Sequence, residues 1–119
     1  MLTLPQSVRI FLSAERADMR KGIDGLAQIV ESWGVDIYSG HLFVFVSRRG
    51  DRLKILTWDT GGFVVYYKRL EKGRFRLPQI QAGGTTLALT ASELGMLLEG
   101  IDLSRVARPR LWEPQRRAS

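Results

Sequence analysis

Residues 42–69, LFVFVSRRGDRLKILTWDTGGFVVYYKR, hold the strongest indication of the fold. They include three apolar runs rich in β-branched and aromatic residues, a composition typical of strands. The runs are separated by Arg49-Gly50-Asp51 and by Thr60-Gly61-Gly62, and connections this short join antiparallel neighbours. The segment therefore predicts an antiparallel meander of three strands. A further run, Arg74-Phe75-Arg76, would extend the meander before Pro78 ends the sheet.

The sequence on either side of the meander predicts one more strand and two helices. Residues 8–12 alternate in polarity as a short strand does. Apolar residues recur at helical spacing over 23–33, which predicts a helix that ends at Gly34. Residues 90–93 match a capping box and begin a second helix that stops near Gly100. The predicted class is α+β, with an antiparallel β-meander of about four to five strands and two helices packed on one face.

The size and composition of the chain set limits on what it can be. Its 119 residues have room for one domain, which we expect to span 1–103, with an extended or mobile arginine- and proline-rich tail at 104–119. With no cysteine and one histidine, thiolate zinc sites and cysteine nucleophiles are excluded. Neither a secretory signal nor an apolar run of about 18 residues is present. We therefore expect a cytoplasmic protein with no membrane contact, no metal and no cofactor.

Arginine supplies most of the positive charge. The chain has a net charge of +6, and the excess lies in residues 48–76, which hold nine basic residues against three carboxylates. The planar guanidinium group binds phosphate in a bidentate way, so this concentration favours nucleic acid or another polyanion. We predict that the segment contacts nucleic acid mainly through phosphate. The candidate residues are Arg48, Arg49, Arg52, Lys54, Lys68, Arg69, Lys72, Arg74 and Arg76.

A second candidate site lies where the first helix begins. Arg20 and Lys21 stand there, although cations oppose the dipole at a helix N-terminus. With the small Gly22 beside them they would suit a phosphate or a carboxylate, which predicts anion binding at these three residues. The alternative is structural, with Asp18 capping the helix and Asp24 pairing with Arg20.

Aromatic residues are interleaved with the cations of the meander. Trp58, Tyr66 and Tyr67 lie close in sequence to Lys54, Lys68 and Arg69. Sheet surfaces that bind single-stranded nucleic acid use this mixture of flat rings and cations. Aromatic rings also fill the cores of sheets, and the pattern alone leaves both interpretations open.

Several segments, in this order along the chain, resemble a known family. They are DMRKGIDGL at 18–26, SGHLFVF at 39–45, RRGD at 48–51, YKRLEKGRF at 67–75 and LLEGID at 97–102. Together they resemble the TnpB family of transposition accessory proteins from bacterial insertion sequences of the sixty-six type, over nearly the full chain. The resemblance implies a small protein that is encoded beside a DDE-type transposase and another small protein and is needed for efficient transposition.

These observations together predict a non-catalytic accessory protein of DNA transposition. Its expected partners are DNA, bound through phosphate, and the transposase and other small protein of the element. No assembled catalytic group is evident, so no catalytic residue is assigned. The alternative is a protein adaptor that binds the transposase through the same sheet and makes no direct DNA contact.

Overall fold

The computed structural model describes residues 8–105. Its elements, in chain order, are β1 (Ile10–Ser13), α1 (Ile23–Ser32), β2 (Leu42–Val46), β3 (Arg52–Asp59), β4 (Gly62–Arg69), β5 (Thr86–Leu89), α2 (Ala91–Leu98) and a single 3-10 turn (Leu103–Arg105). The strands form one sheet in the order β4-β3-β2-β1-β5. The α+β class and the antiparallel meander of β2, β3 and β4 are confirmed.

The two helices lie on opposite faces of the sheet, so the prediction that both pack on one face is wrong. Strand β2 is buried at all five positions. Phe43 and Phe45 pack with Leu26 and Val30 of α1. The other three residues of the strand point to the opposite face and pack with α2. Because successive side chains of a strand point to opposite faces, a wholly apolar strand must be covered on both sides.

The pairing of β1 with β2 is parallel, whereas the other three strand pairs are antiparallel. Parallel neighbours need a crossover connection, and α1 lies in that connection. The sheet is therefore mixed, which the local strand pattern did not predict.

The region after β4 also differs from the prediction. Residues 74–76 form no strand, and the fifth strand is instead β5, which pairs with β1 at the edge opposite β4. Phe75 is buried in the core on the α2 face, and its backbone N–H donates to the carbonyl of Gly50 at 2.7 Å. The segment is thus anchored at Phe75, whose side chain packs in the core and whose backbone bonds to the turn between β2 and β3.

Helix α2 begins as predicted. The Thr90 hydroxyl accepts from the backbone N–H of Glu93 at 3.0 Å, and the Glu93 carboxylate accepts from the backbone N–H of Thr90 at 2.8 Å. This reciprocal pair satisfies two donors that the first turn of a helix leaves free.

In residues 8–105 no helix has the length and apolar character needed to cross a membrane. The predicted tail at 104–119 lies outside the described residues except for Ser104 and Arg105, which belong to the 3-10 turn.

Candidate nucleic-acid interface

The turn between β2 and β3 is held by the hydroxyl of Ser47. Its Oγ accepts from the backbone N–H groups of Gly50 and Arg52, both at 3.1 Å, and donates to the Asp51 carboxylate at 3.3 Å. These bonds order the backbone on both sides of Arg48 and Arg49, whose side chains are exposed. The turn therefore presents two adjacent guanidinium groups to solvent from a fixed backbone.

The segment that leads into α1 lies against this turn. The N–H of Ala17 donates to the carbonyl of Val46 at 2.9 Å, and Ala17 forms a parallel bridge with Ser47. This contact brings Arg20 to the same cleft as the arginines of the turn. Arg20 and the arginines of the turn, which are separated by about thirty positions in the sequence, thus line one cleft.

This first cleft, called here the Tyr67 cleft, has a volume of about 290 Å³. It lies on the α1 face of the sheet, since Tyr67 is opposite Lys54 and shares that face with Leu56. Its charged lining residues are Arg20, Arg48, Arg49 and Arg52, with the carboxylates of Asp18 and Asp51.

A second cleft, called here the Phe75 cleft, has a volume of about 430 Å³ and lies beside the buried Phe75. The N–H of Leu70 donates to the Asp51 carbonyl at 2.8 Å, so the loop after β4 returns to the β2–β3 turn. Arginine provides every charged side chain that lines this cleft, and no carboxylate lines it. The lining arginines are Arg16, Arg48, Arg49, Arg74 and Arg76.

The two clefts share Arg48 and Arg49 and so form one continuous surface around the end of the sheet. Together they are lined by seven arginines, and within residues 8–105 the only one of the seven that forms an ion pair is Arg20. The charges of the other six have no carboxylate partner within those residues, so an anion supplied from outside could pair with them.

Arg16 was not among the residues selected from the sequence. It is exposed, and its Nη1 donates to the carbonyl of Ser47 at 3.0 Å, which holds the side chain against the turn. The charge pattern could not indicate it, because Arg16 lies far from the basic segment in sequence. Its position depends on the contact between Ala17 and the end of β2.

Two of the nine predicted nucleic-acid contacts are lysines whose ammonium groups donate to backbone carbonyls of the protein. The ammonium of Lys54 donates to the carbonyls of Met19 and Lys21, both at 2.9 Å, and lies 5.5 Å from the centre of the Tyr67 ring. The ammonium of Lys68 donates to the carbonyl of Leu98 at 2.6 Å, at the C-terminus of α2. Cations at this end of a helix interact favourably with the helix dipole.

Five of the other seven predicted contacts line the two clefts, namely Arg48, Arg49, Arg52, Arg74 and Arg76. Arg69 pairs with Glu71 at 3.3 Å and lines neither cleft. Lys72 is exposed beyond the end of β4. The direct role of all nine residues in binding remains a prediction.

At the start of α1, Arg20 pairs with Asp18. Its Nη2 lies 2.8 Å from Oδ2 of Asp18, and its Nε lies 3.1 Å from Oδ1. The hydrogen bonds from Arg20 hold the pKa of the Asp18 carboxyl well below its usual value, and the Asp18 carboxylate raises the pKa of Arg20. The structural alternative holds for Arg20 in that an ion pair is present, but the partner is Asp18 rather than Asp24. Asp18 does not cap the helix, because the N-cap is Gly22, which has no side-chain cap.

The predicted anion site at Arg20, Lys21 and Gly22 remains a prediction. Arg20 stays 91% exposed although it is paired, and it lines the Tyr67 cleft. Lys21 and Gly22 are exposed but lie outside the residues that line either cleft. The carbonyl of Lys21 is the acceptor for Lys54.

The three aromatic residues of the meander have three different environments. Trp58 packs edge-on against Tyr38 and Phe63, with ring centres 5.0 Å apart in both pairs. Tyr66 is opposite Ile55 and therefore lies on the α2 face, away from the Tyr67 cleft. Of these three rings, Tyr67 alone lines a cleft that also holds arginines.

Across residues 8–105, no three His, Asp or Glu side chains are grouped so that they could hold a metal ion.

Comparison with known proteins identifies relatives over nearly the whole chain. The family described as IS66 Orf2-like protein matches residues 8–108. The uncharacterized protein y4jC of Sinorhizobium fredii is 34% identical over 115 residues, covering 96% of this chain and 97% of the relative. The uncharacterized protein y4hO of the same organism is 37% identical over 103 residues, covering 86% and 88%. No solved structure matches the chain. The family resemblance described from the sequence is confirmed.

Proposed function

Since this chain belongs to the family of IS66 Orf2-like proteins, we propose that it is a non-catalytic accessory protein of transposition that binds DNA through its phosphates. The family indicates an accessory role in transposition and is not a family of known enzymes. The observation that carries the DNA proposal is the surface formed by the two clefts, with arginines at its centre and on both sides.

The proposal rests on the excess of positive charge over negative charge on that surface. Arg48 and Arg49 are exposed, belong to both clefts, and form no ion pair with any carboxylate in the described chain. Of the two carboxylates that line the clefts, Asp18 is already neutralised by Arg20. A chain of phosphates can neutralise several of these cations at once and release the counterions that surround the nucleic acid.

The first test measures binding to the DNA of the element ends by fluorescence anisotropy. We expect the combined variant Arg48→Gln and Arg49→Gln to weaken binding by more than about tenfold, because two phosphate contacts are lost. The matched control is Arg9→Glu, which changes the net charge by the same two units at an exposed arginine at the other end of β1 and β2, without touching either cleft. Equal losses in both variants would mean that overall charge, and not this surface, governs binding.

A second candidate function is an adaptor that binds the transposase and makes no DNA contact. The observation that favours it is the exposure of Val64 and Tyr66 on the edge strand β4, at 47% and 46%. Exposed apolar side chains on a sheet edge suit a protein partner. Co-purification of the transposase at high salt, together with no affinity for DNA, would support the adaptor, because salt weakens phosphate contacts and leaves apolar contacts in place.

The proposal also includes the absence of catalysis. Purified protein incubated with element-end DNA and magnesium or manganese should neither nick nor join the DNA. Cleavage that is abolished by Asp59→Ala, a change to the exposed carboxylate at the end of β3, would contradict this part of the proposal.

A further inference from the structure

We propose that the Tyr67 cleft binds single-stranded DNA, with an unpaired base stacked on the Tyr67 ring and the adjoining phosphates held by Arg52 and Arg48. The inference rests on the proposed function, DNA binding by the arginine surface, and adds to it the form of DNA that this cleft accepts. Tyr67, Arg52 and Arg48 all line the cleft.

Tyr67 is half exposed and has a lysine ammonium over its ring. Tyr67 lies on the edge strand β4 and is 50% exposed. Lys54, directly opposite on β3, places its ammonium 5.5 Å from the ring centre, so it covers one face. Because the ammonium is fixed by the carbonyls of Met19 and Lys21, that side of the ring stays covered. The proposal therefore places the base on the opposite face of the Tyr67 ring, away from Lys54.

Arg52 adds a cation whose hydrogen bonds are incomplete. Its Nε is buried and has no hydrogen-bond partner among the described residues. Directly opposite Arg52 on β4 lies Arg69, and like charges in this position destabilise a pair of strands. Arg69 is paired with Glu71, so Arg52 is the member of this pair that has no ionic partner among the described residues. A phosphate in the cleft would supply that partner.

A flat ring between cations selects an unpaired strand over a duplex. In a duplex each base is stacked on its neighbours, so its face is not accessible to a side chain. In a single strand every base offers a face, and proteins that bind single strands combine stacking aromatic rings with a positively charged groove. The cleft volume of about 290 Å³ is at the lower limit of small-ligand sites, which suits one nucleotide of a longer chain.

The test compares variants of two adjacent tyrosines on the same strand. Tyr67→Leu keeps apolar bulk beside Lys54 but removes the aromatic face, and Tyr67→Phe keeps that face. Tyr66→Leu is the matched control, because Tyr66 is 46% exposed on the opposite face of the sheet. Each variant is titrated by fluorescence anisotropy with an oligothymidylate of about 16 nucleotides, the upper end of the site size of a small single-strand-binding fold, and with a duplex of the same length.

We expect Tyr67→Leu to weaken oligothymidylate binding by about fivefold or more while duplex binding stays the same. Tyr66→Leu should bind both probes as the parent chain does. Tyr67→Phe, which keeps the aromatic face, should restore most of the oligothymidylate affinity that Tyr67→Leu loses. Equal weakening with both probes, or no weakening with either, would overturn the single-strand inference and leave the proposed function standing. Tighter binding of oligouridylate than of oligothymidylate would assign the cleft to RNA and also overturn it. Failure of the parent chain to bind any of these probes would reject the proposed function itself.

Discussion

At the scale of single residues, hydrogen bonding decides which cations are available to a ligand. Lys54 lies within the basic segment that predicts nucleic-acid contact, yet its ammonium bonds to two carbonyls of the segment before α1. Arg48 and Arg49, from the same segment, form no ion pair within residues 8–105. The sequence could therefore predict where charge is concentrated, but not which side chains would use that charge within the protein.

Lys54→Met should lower the free energy of unfolding by about 1–3 kcal/mol, because the carbonyls of Met19 and Lys21 lose a charged donor. Urea denaturation measures the change. Lys72→Met is the control, since Lys72 is exposed and should leave stability within about 0.5 kcal/mol of the parent chain. Unchanged stability in Lys54→Met would mean that this lysine has no structural role.

Gly50 has a backbone conformation that favours glycine, and it lies beside Arg16 of the arginine surface. Gly50 and Gly61 have φ values of +81° and +84°, so replacing either by alanine should cost about 1–2 kcal/mol. A Cβ on Gly50 would also lie 3.3 Å from Nη1 of Arg16, whereas one on Gly61 would meet no atom within 4 Å. We expect both variants to lose stability by a similar amount in urea and only Gly50→Ala to lose DNA affinity. Loss of affinity in both would show that strain in the sheet, and not displacement of Arg16, is responsible.

For the helices and strands, short-range sequence patterns predicted the features that contacts between nearby residues determine. The helical spacing before Gly34, the capping box at Thr90 and the short turns of the meander were all confirmed. Strand β5 was missed, because its pairing with β1 joins segments more than seventy residues apart and leaves no local pattern. The opposite placement of the two helices did have a signal, since a strand as apolar as β2 needs a cover on both faces.

Thr90→Ala should destabilise the protein by about 1 kcal/mol, because the N–H of Glu93 loses its acceptor at the start of α2. Thermal and urea denaturation measure the effect. Ser92→Ala, two positions later and exposed, should be neutral or slightly stabilising, since alanine favours helix and Thr90 still caps it. DNA affinity should be unchanged in both variants, because α2 lines neither cleft. A cap variant as stable as the parent would show that packing alone holds α2.

At the scale of the whole molecule, the candidate site is assembled from parts of the chain that are distant in sequence. The side chains that line the two clefts come from the segment before α1, the β2–β3 turn, strand β4 and the loop after it. Arg16 and Arg20 reach the turn only because Ala17 bonds to the end of β2, and Arg74 reaches it because Phe75 bonds to Gly50. These non-local contacts are the part of the site that composition and spacing could not predict.

If DNA binds where the two clefts meet, amide chemical-shift mapping will locate it there. Isotope-labelled protein is titrated with element-end DNA in both single-stranded and duplex form. We expect the largest shifts at Arg48, Arg49 and Gly50, with further shifts at Arg16 and Arg20 and little change at the opposite end of the sheet. Largest shifts on α2 or at that opposite end, or no shifts at DNA concentrations that saturate a specific site, would contradict binding where the two clefts meet.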